Sequence, residues 1–178
     1  MKTSHLFKSL TMALSFAAVA MTTVPAEARL IKAHAGTTFI NAPVEFDPSG
    51  NPTKFSHTVD GVVRVSGLGN CGVHVDVIGV PRPDGTFALS GTFRITSADG
   101  QSALDAEVQG ATTPDDSGNP YFANFHYDVK FTGGTGQMEN ARGKADIDGF
   151  AMFISPTEGK ATWLLSGQVF TRGKGRKD

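Results

Sequence analysis

Two histidine–aspartate pairs are the side chains of this sequence whose types and spacing most directly suggest chemistry. Each is a His-x-Asp motif, formed by His74 and Asp76 and by His126 and Asp128. In an extended strand, residues two positions apart share a face, so each motif places an imidazole beside a carboxylate. Such a pair could ligate a metal ion, or the carboxylate could orient the histidine for general acid–base catalysis.

The neighbours of both motifs favour a simpler interpretation. The opposite face of each segment is apolar, with Val73, Val75 and Val77 in the first and Phe125, Tyr127 and Val129 in the second. The histidines and aspartates should then face solvent as polar pairs across neighbouring strands. The sequence therefore predicts no metal and no cofactor, and keeps the four polar residues as secondary metal candidates.

Cys71 is the only cysteine, which excludes an internal disulfide and a cysteine-rich zinc site. A nucleophilic thiol needs a nearby base, and His74 falls on the opposite face of an extended strand. A free cysteine commonly packs as a small hydrophobic residue. We expect a buried, inert thiol.

A glycine-rich segment at 131–143 contains Gly133, Gly134 and Gly136. It does not fit a G-x-G-x-x-G phosphate-binding loop, because Glu139 stands where the last glycine is needed, and it does not fit a P-loop. Glycines allow backbone conformations closed to other residues, and the residues that follow form helix readily. The segment predicts a tight turn followed by a short helical turn near 137–142.

Apolar and polar residues alternate with a period of two along most of the chain, which predicts β-strands. The clearest segments are 86–96, 101–109 and 121–132, and less regular ones are 37–41, 59–66, 71–80, 143–154 and 161–171. Turn residues separate them, including the hairpin signals Asp84-Gly85 and Asp99-Gly100. Eight strands with short connections predict an all-β fold, a single eight-stranded antiparallel up-and-down barrel, with an open β-sandwich as the alternative.

Aromatic residues occupy the predicted inward faces of these strands. An eight-stranded barrel has an interior that is filled by side chains or is just wide enough for one small ligand. The inward aromatics are thus candidates for lining a ligand cavity, although aromatic residues on the buried face of a strand more often form an ordinary core. The candidates are Phe87, Phe93, Phe125, Tyr127, Phe131 and Trp163.

The first 28 residues have the pattern of a secretory signal peptide. A basic start is followed by an apolar run too short to span a bilayer, and Ala26-Glu27-Ala28 is a small-x-small cleavage site. We therefore expect a mature barrel domain at 29–171, a basic, disordered tail at 172–178, and a periplasmic or extracellular location.

Composition excludes several classes of protein. Hydrophobic residues make up 39% of the chain and charged residues 19%, which is typical of a globular domain rather than a disordered chain. The net charge of −1 is not that of a nucleic-acid-binding protein. No later apolar run approaches the length of a membrane span, so stable membrane insertion is not expected.

The glycine-rich segment carries a family resemblance. The residues T-G-G-T-G at 132–136, followed by A-R-G at 141–143, resemble a segment of plant dirigent proteins, of allene oxide cyclases and of small secreted bacterial proteins of the same barrel type. Met138 and Asn140 depart from that pattern, where Phe and Gly are usual. The resemblance extends over about 59–171 and implies an eight-stranded antiparallel barrel. It does not match the pocket residues of the plant families, so their activities are not implied.

Three functions are compatible with these observations. The favoured one is a secreted barrel that binds a small apolar or aromatic ligand. The second is an exported structural or partner-binding protein with a filled barrel, and the third is a cyclase- or dirigent-like activity on an apolar substrate. The sequence favours a protein that is not an enzyme.

Overall fold

A computed structural model describes residues 26–172 and the side chains of 28–171. Residues 1–25 of the predicted signal peptide and residues 173–178 of the predicted tail lie outside this range. Eight β-strands follow one another along the chain: β1 Ala26–Phe46, β2 Pro52–Val65, β3 Gly69–Pro81, β4 Phe87–Ser97, β5 Ala103–Pro114, β6 Phe122–Thr135, β7 Arg142–Phe153 and β8 Glu158–Arg172.

The strands form a closed antiparallel barrel in which each strand pairs with its neighbours in sequence. The barrel closes between β1 and β8, which pair without interruption from Ala26 opposite Arg172 to Ile40 opposite Glu158. Closure satisfies the backbone groups that an open sheet leaves unpaired at its edges. The predicted eight-stranded up-and-down barrel is confirmed, and the alternative of an open sandwich is wrong.

The alternation of residues sets which face of each strand is inside. On β3, Val73, Val75 and Val77 are buried, whereas His74 and Asp76 are exposed. The burial of the valines removes apolar surface from water, and the polar residues between them keep the outer surface hydrated.

The strands are longer than the sequence pattern indicated, and β1 shows the largest difference. It begins at Ala26, although the pattern predicted a strand only over 37–41. Ala33 and Ala35 occupy inward positions, while Leu30 and Ile40 are exposed on the outside. Small inward residues beside large outward ones weaken the apolar alternation that reveals a strand.

The barrel has one end filled with side chains, which we call the packed end. It is the end at which β1 begins, β8 finishes and β6 connects to β7. Large side chains of several strands are fully buried there, including Ile31, Ile95, Leu104 and Phe131. Aliphatic and aromatic packing of this kind excludes water from that half of the interior.

A single turn of 3-10 helix, Gly136–Met138, caps the packed end. The buried side chain of Met138 belongs to the same hydrophobic core as Ala141. The helical turn is shorter than the predicted 137–142, because the backbone of Glu139 is extended and Asn140 has a positive φ of 58°. Neither conformation continues a helix.

Of Gly133, Gly134 and Gly136, the last two are required by close packing. A Cβ on Gly134 would lie 2.2 Å from the carbonyl oxygen of Ala103, and one on Gly136 would lie 2.2 Å from that of Gln101. Gly136 also has a φ of +60°, which favours glycine. Gly133 has no comparable constraint, since the nearest atom to a Cβ there would be Nη1 of Arg142, 3.7 Å away. The segment has a structural role at the packed end.

Candidate functional site: an apolar cavity with one polar pair

The other half of the barrel contains a cavity of about 360 Å³. It lies where β1, β3, β5 and β7 end, and Pro156 extends its wall into the loop between β7 and β8. We call this half the cavity end. Its walls are Phe39, Asn41, Phe55, His57, Val59, Val75, Gly79, Phe87, Leu89, Phe93, Val108, Thr112, Phe125, Tyr127, Ile147, Ala151, Phe153, Pro156, Ala161 and Trp163.

The walls include all the aromatic residues proposed from the sequence except Phe131. Phe87, Phe93, Phe125, Tyr127 and Trp163 line the cavity. Phe131 has the same inward orientation but lies near the other end of β6, where it is 1% exposed in the packed end. Alternation gives the face on which a residue lies and does not give its position along the barrel axis. Phe131 is therefore inside the barrel but is not among the walls of this cavity.

The aromatic walls are held by edge-to-face ring contacts. Phe93 packs against Trp163 with ring centroids 6.1 Å apart, and Phe125 packs against Tyr127 at 5.7 Å. These are the separations that aromatic pairs prefer, and each pair adds to the stability from burial alone. The rings therefore line a cavity of defined shape.

His57 and Asn41 form a polar pair in a mainly apolar wall, which also includes Thr112 and Tyr127. The two residues are directly opposite each other on β2 and β1. The imidazole Nδ1 forms a hydrogen bond with the amide oxygen of Asn41, and the ring packs against Phe39 with centroids 4.9 Å apart. Because an amide oxygen can only accept, Nδ1 carries the proton and Nε2 is an acceptor.

Burial lowers the pKa of His57 to about 4. Desolvation disfavours the charged imidazolium, and no carboxylate among the cavity's walls compensates for it. At neutral pH the ring is uncharged.

Tyr127 is a second polar group at the cavity. Its side chain is 7% exposed, and burial raises the pKa of its hydroxyl above the ordinary value. Within the described part of the chain, that hydroxyl has no hydrogen-bond partner. Tyr127 belongs to β6, four strands from His57 on β2, so the two polar groups lie on opposite walls of the barrel.

The cavity walls contain no lysine, arginine, aspartate or glutamate among the described residues. An ionised group buried without a partner costs a large desolvation free energy. The arrangement is therefore suited to an uncharged, mainly apolar molecule that makes a small number of hydrogen bonds.

The His-x-Asp motifs lie on the outer surface, away from the cavity. His74 Nδ1 lies 2.7 Å from Asp60 and Nε2 lies 2.8 Å from Asp76, and these hydrogen bonds raise the pKa of the imidazole. His126 Nδ1 lies 2.8 Å from Asp148, which likewise raises the pKa of His126. Each histidine thus forms polar pairs with carboxylates of its own and neighbouring strands.

The second motif is part of a group with the atoms needed to ligate a metal. His126, Asp128 and Asp146 offer ligand atoms that all lie within 4.8 Å of one another. All three side chains are exposed, however, and exposed groups of this kind are common on protein surfaces. Asp76 and His74 belong to no such group of three within residues 28–171.

Cys71 is buried at the packed end and forms no disulfide. Burial, and to a smaller extent the charge of Asp99, raises the pKa of the thiol. A protonated thiol is a poor nucleophile. These properties are those expected of an inert core cysteine.

Sequence reasoning did not single out the polar pair of the cavity. His57 lies two residues after Phe55 and two before Val59, on the inward face of β2, and Asn41 follows Phe39 in the same way on β1. The sequence did contain an indication of this pair, namely polar residues at inward positions of two strands. It was obscured because β1 and β2 are longer than the pattern indicated.

Comparisons with known proteins leave the family of this chain open. No protein-family profile matches it, and no curated protein sequence matches it significantly. Among solved structures, it is similar to the pterocarpan synthase dirigent protein GePTS1, with a TM-score of 0.38 and 14% identity, covering 92% of this chain and 100% of that one. Nothing is transferred to this chain at that level of similarity, and membership of the dirigent or allene oxide cyclase families stays a prediction.

A search of residues 26–172 for membrane-spanning helices gave no helix with the necessary length and apolar character.

Proposed function

We propose that this protein binds one small, mainly apolar molecule in the cavity of its barrel. The observation that carries the proposal is the division of the interior into a packed end and a cavity of about 360 Å³. A cavity of this size is within the range of small-molecule sites, which are typically apolar with a few placed polar groups. The alternative of a filled barrel requires side chains throughout the interior, and the cavity end lacks them.

The walls of the cavity support an apolar and flat ligand. Phe93, Trp163, Phe125 and Tyr127 present aromatic surface held in edge-to-face pairs. A molecule enclosed by these rings would exchange contact with water for contact with apolar surface. Burial of apolar area contributes about 25 cal/mol per Å² before the cost of immobilising the ligand.

Export of the protein is part of the same proposal. The predicted cleavage after Ala28 would remove the first three residues of β1, which pair with β8. Ala28, Arg29 and Leu30 are exposed, and among the described side chains of β1 the first buried one is Ile31. Removal of the segment before Arg29 would take no described buried side chain from the barrel. Terminal sequencing of protein recovered from its host should begin at Arg29, and full-length protein in the cytoplasm would contradict export.

Ligand binding can be measured through the single tryptophan, Trp163, which lines the cavity. N-phenylnaphthylamine is an uncharged aromatic probe that accepts energy from tryptophan. We expect saturable energy transfer from Trp163 to the probe at a stoichiometry of about one, because the proposal places one small molecule in this cavity.

A matched pair of variants tests where the probe binds. Val75→Phe fills the cavity from a wall position, whereas Val62→Phe makes the same change on the outer surface, where Val62 is 64% exposed. Val75→Phe should weaken binding at least tenfold and Val62→Phe should leave it unchanged. Binding that is absent in the parent protein, or equal in both variants, would refute the cavity as the site.

A further inference from the structure

We infer that the cavity selects an uncharged ligand that donates one hydrogen bond to Nε2 of His57. This inference rests on the proposed function and specifies the chemical class of its ligand. An alcohol or an N–H group on an apolar framework would meet the requirement, whereas a carboxylate or an ether would not.

The acceptor is defined by the bond on the other side of the ring. Nδ1 of His57 donates to the side-chain oxygen of Asn41, which fixes the neutral tautomer with its lone pair on Nε2. Within residues 28–171, Nε2 has no hydrogen-bond partner. The imidazole lines the cavity, so the free acceptor is available to a molecule bound there.

The surroundings of the ring keep it an acceptor at neutral pH. Phe39 packs against one side of the imidazole, and the neighbours of His57 across the strands are Asn41 and Val77. None of these residues carries a charge that would stabilise an imidazolium. A protonated ring would lose its acceptor, since both nitrogens would then donate.

The same surroundings reject charged ligands. A carboxylate in the cavity would find no lysine or arginine among the described wall residues, and the lone pair of Nε2 would face its oxygens. An ammonium group would likewise find no carboxylate there. Either ion would lose its hydration without a counter-ion.

Three probes of similar shape test this selectivity by displacing N-phenylnaphthylamine at about pH 7. Naphthalenemethanol has a hydroxyl donor, its methyl ether has only an acceptor, and naphthoate carries a negative charge. We expect the alcohol to bind about three- to tenfold more tightly than the ether, which is the usual value of one hydrogen bond in a protein. Naphthoate should bind more weakly than both.

Two variants assign the preference to His57. His57→Leu removes the acceptor and should make the alcohol and the ether bind equally. Asn41→Leu retains the imidazole but removes the partner of Nδ1, so the ring can adopt the other tautomer and the preference should shrink. His126→Gln changes an outer-surface histidine and should leave the preference intact.

The results separate this inference from the proposed function. If N-phenylnaphthylamine binds but the alcohol and the ether compete equally, the cavity binds ligands and the role of His57 is wrong. A preference that survives in His57→Leu, or tighter binding of naphthoate, would also overturn the inference. If no probe binds the parent protein, both the function and the inference fail. Thermal unfolding of each variant, followed by circular dichroism, establishes that it is folded.

Discussion

The partly buried His57 should make the stability of this protein depend on pH in a defined interval. The perturbation is acidification from about pH 6.5 to about pH 4.5, compared between the parent protein and His57→Gln. Burial lowers the pKa of His57 to about 4 in the folded chain, whereas an exposed histidine in the unfolded chain has a pKa of about 6.5. Between these values the unfolded chain binds a proton that the folded chain does not, so the free energy of unfolding falls as the pH falls.

The size of the effect follows from the two pKa values. One unit of difference corresponds to about 1.36 kcal/mol, so the full difference of about 2.5 units is worth about 3 kcal/mol. About 2 kcal/mol of this is lost between pH 6.5 and pH 4.5, since the histidine of the unfolded chain is half protonated at the upper limit and almost fully protonated at the lower.

Other titrations fall mainly outside the chosen interval. Hydrogen bonds to carboxylates raise the pKa values of His74 and His126, so their stabilisation is fully present below about pH 6.5 and is lost as the pH rises further. The aspartates with lowered pKa values lose their stabilisation as the pH falls through values below the ordinary 3.8. Among the described residues, the loss of stability over this interval therefore reports mainly on His57.

Urea unfolding followed by Trp163 fluorescence at the two pH values measures the effect. The parent protein should lose about 2 kcal/mol more than His57→Gln, and His126→Gln should behave as the parent in this interval. Equal losses in the parent and in His57→Gln would show that the imidazole is hydrated in the folded protein, and the reasoning about a neutral acceptor would then be wrong.

The remaining predictions concern packing. Phe93→Ala should cost about 3–5 kcal/mol in urea unfolding because Phe93 is 1% exposed, whereas Leu164→Ala, at a site 59% exposed, should cost less than about 0.5 kcal/mol. Gly134→Ala should lower the melting temperature because the new Cβ would collide with the carbonyl oxygen of Ala103. Gly133→Ala should leave the melting temperature unchanged, because a Cβ there has space; equal effects of the two substitutions would contradict the packing of this segment. The thiol of Cys71 should react with a thiol reagent only after unfolding, and rapid reaction of the native protein would show that it is not buried.

The fold could be predicted from the sequence because the barrel depends on a repeated local pattern. The inward positions of β4, β5 and β6 are mostly apolar and the outward positions mostly polar, so alternation alone gave these strands and their faces. The pattern is less clear in β1, where inward positions hold alanines and Thr37 while Leu30 and Ile40 are exposed. The extent of that strand is determined by its pairing with β2 and β8, which depends on residues distant in sequence.

The candidate site could be predicted only in part, for a related reason. Alternation placed Phe87, Phe93 and Trp163 inside the barrel, and these residues line the cavity. It could not separate them from Phe131, because the stagger of neighbouring strands determines how far along the barrel each residue lies. The pairing of His57 with Asn41 required the register of β1 with β2, which the sequence pattern leaves undetermined.

The pairing of β1 with β8, the seam that closes the barrel, affects how the chain folds. Ala33 pairs with Leu165 and Ile31 with Gly167, so the contacts that close the barrel join residues more than a hundred positions apart. A chain emerging from the ribosome cannot form this seam until its last strand has been made. Until then the edge of β1 that pairs with β8 is unpaired, which delays completion of the fold. For a protein proposed to be exported, that delay favours threading through a translocation channel before folding, and it makes the unclosed chain vulnerable to aggregation through its free edge.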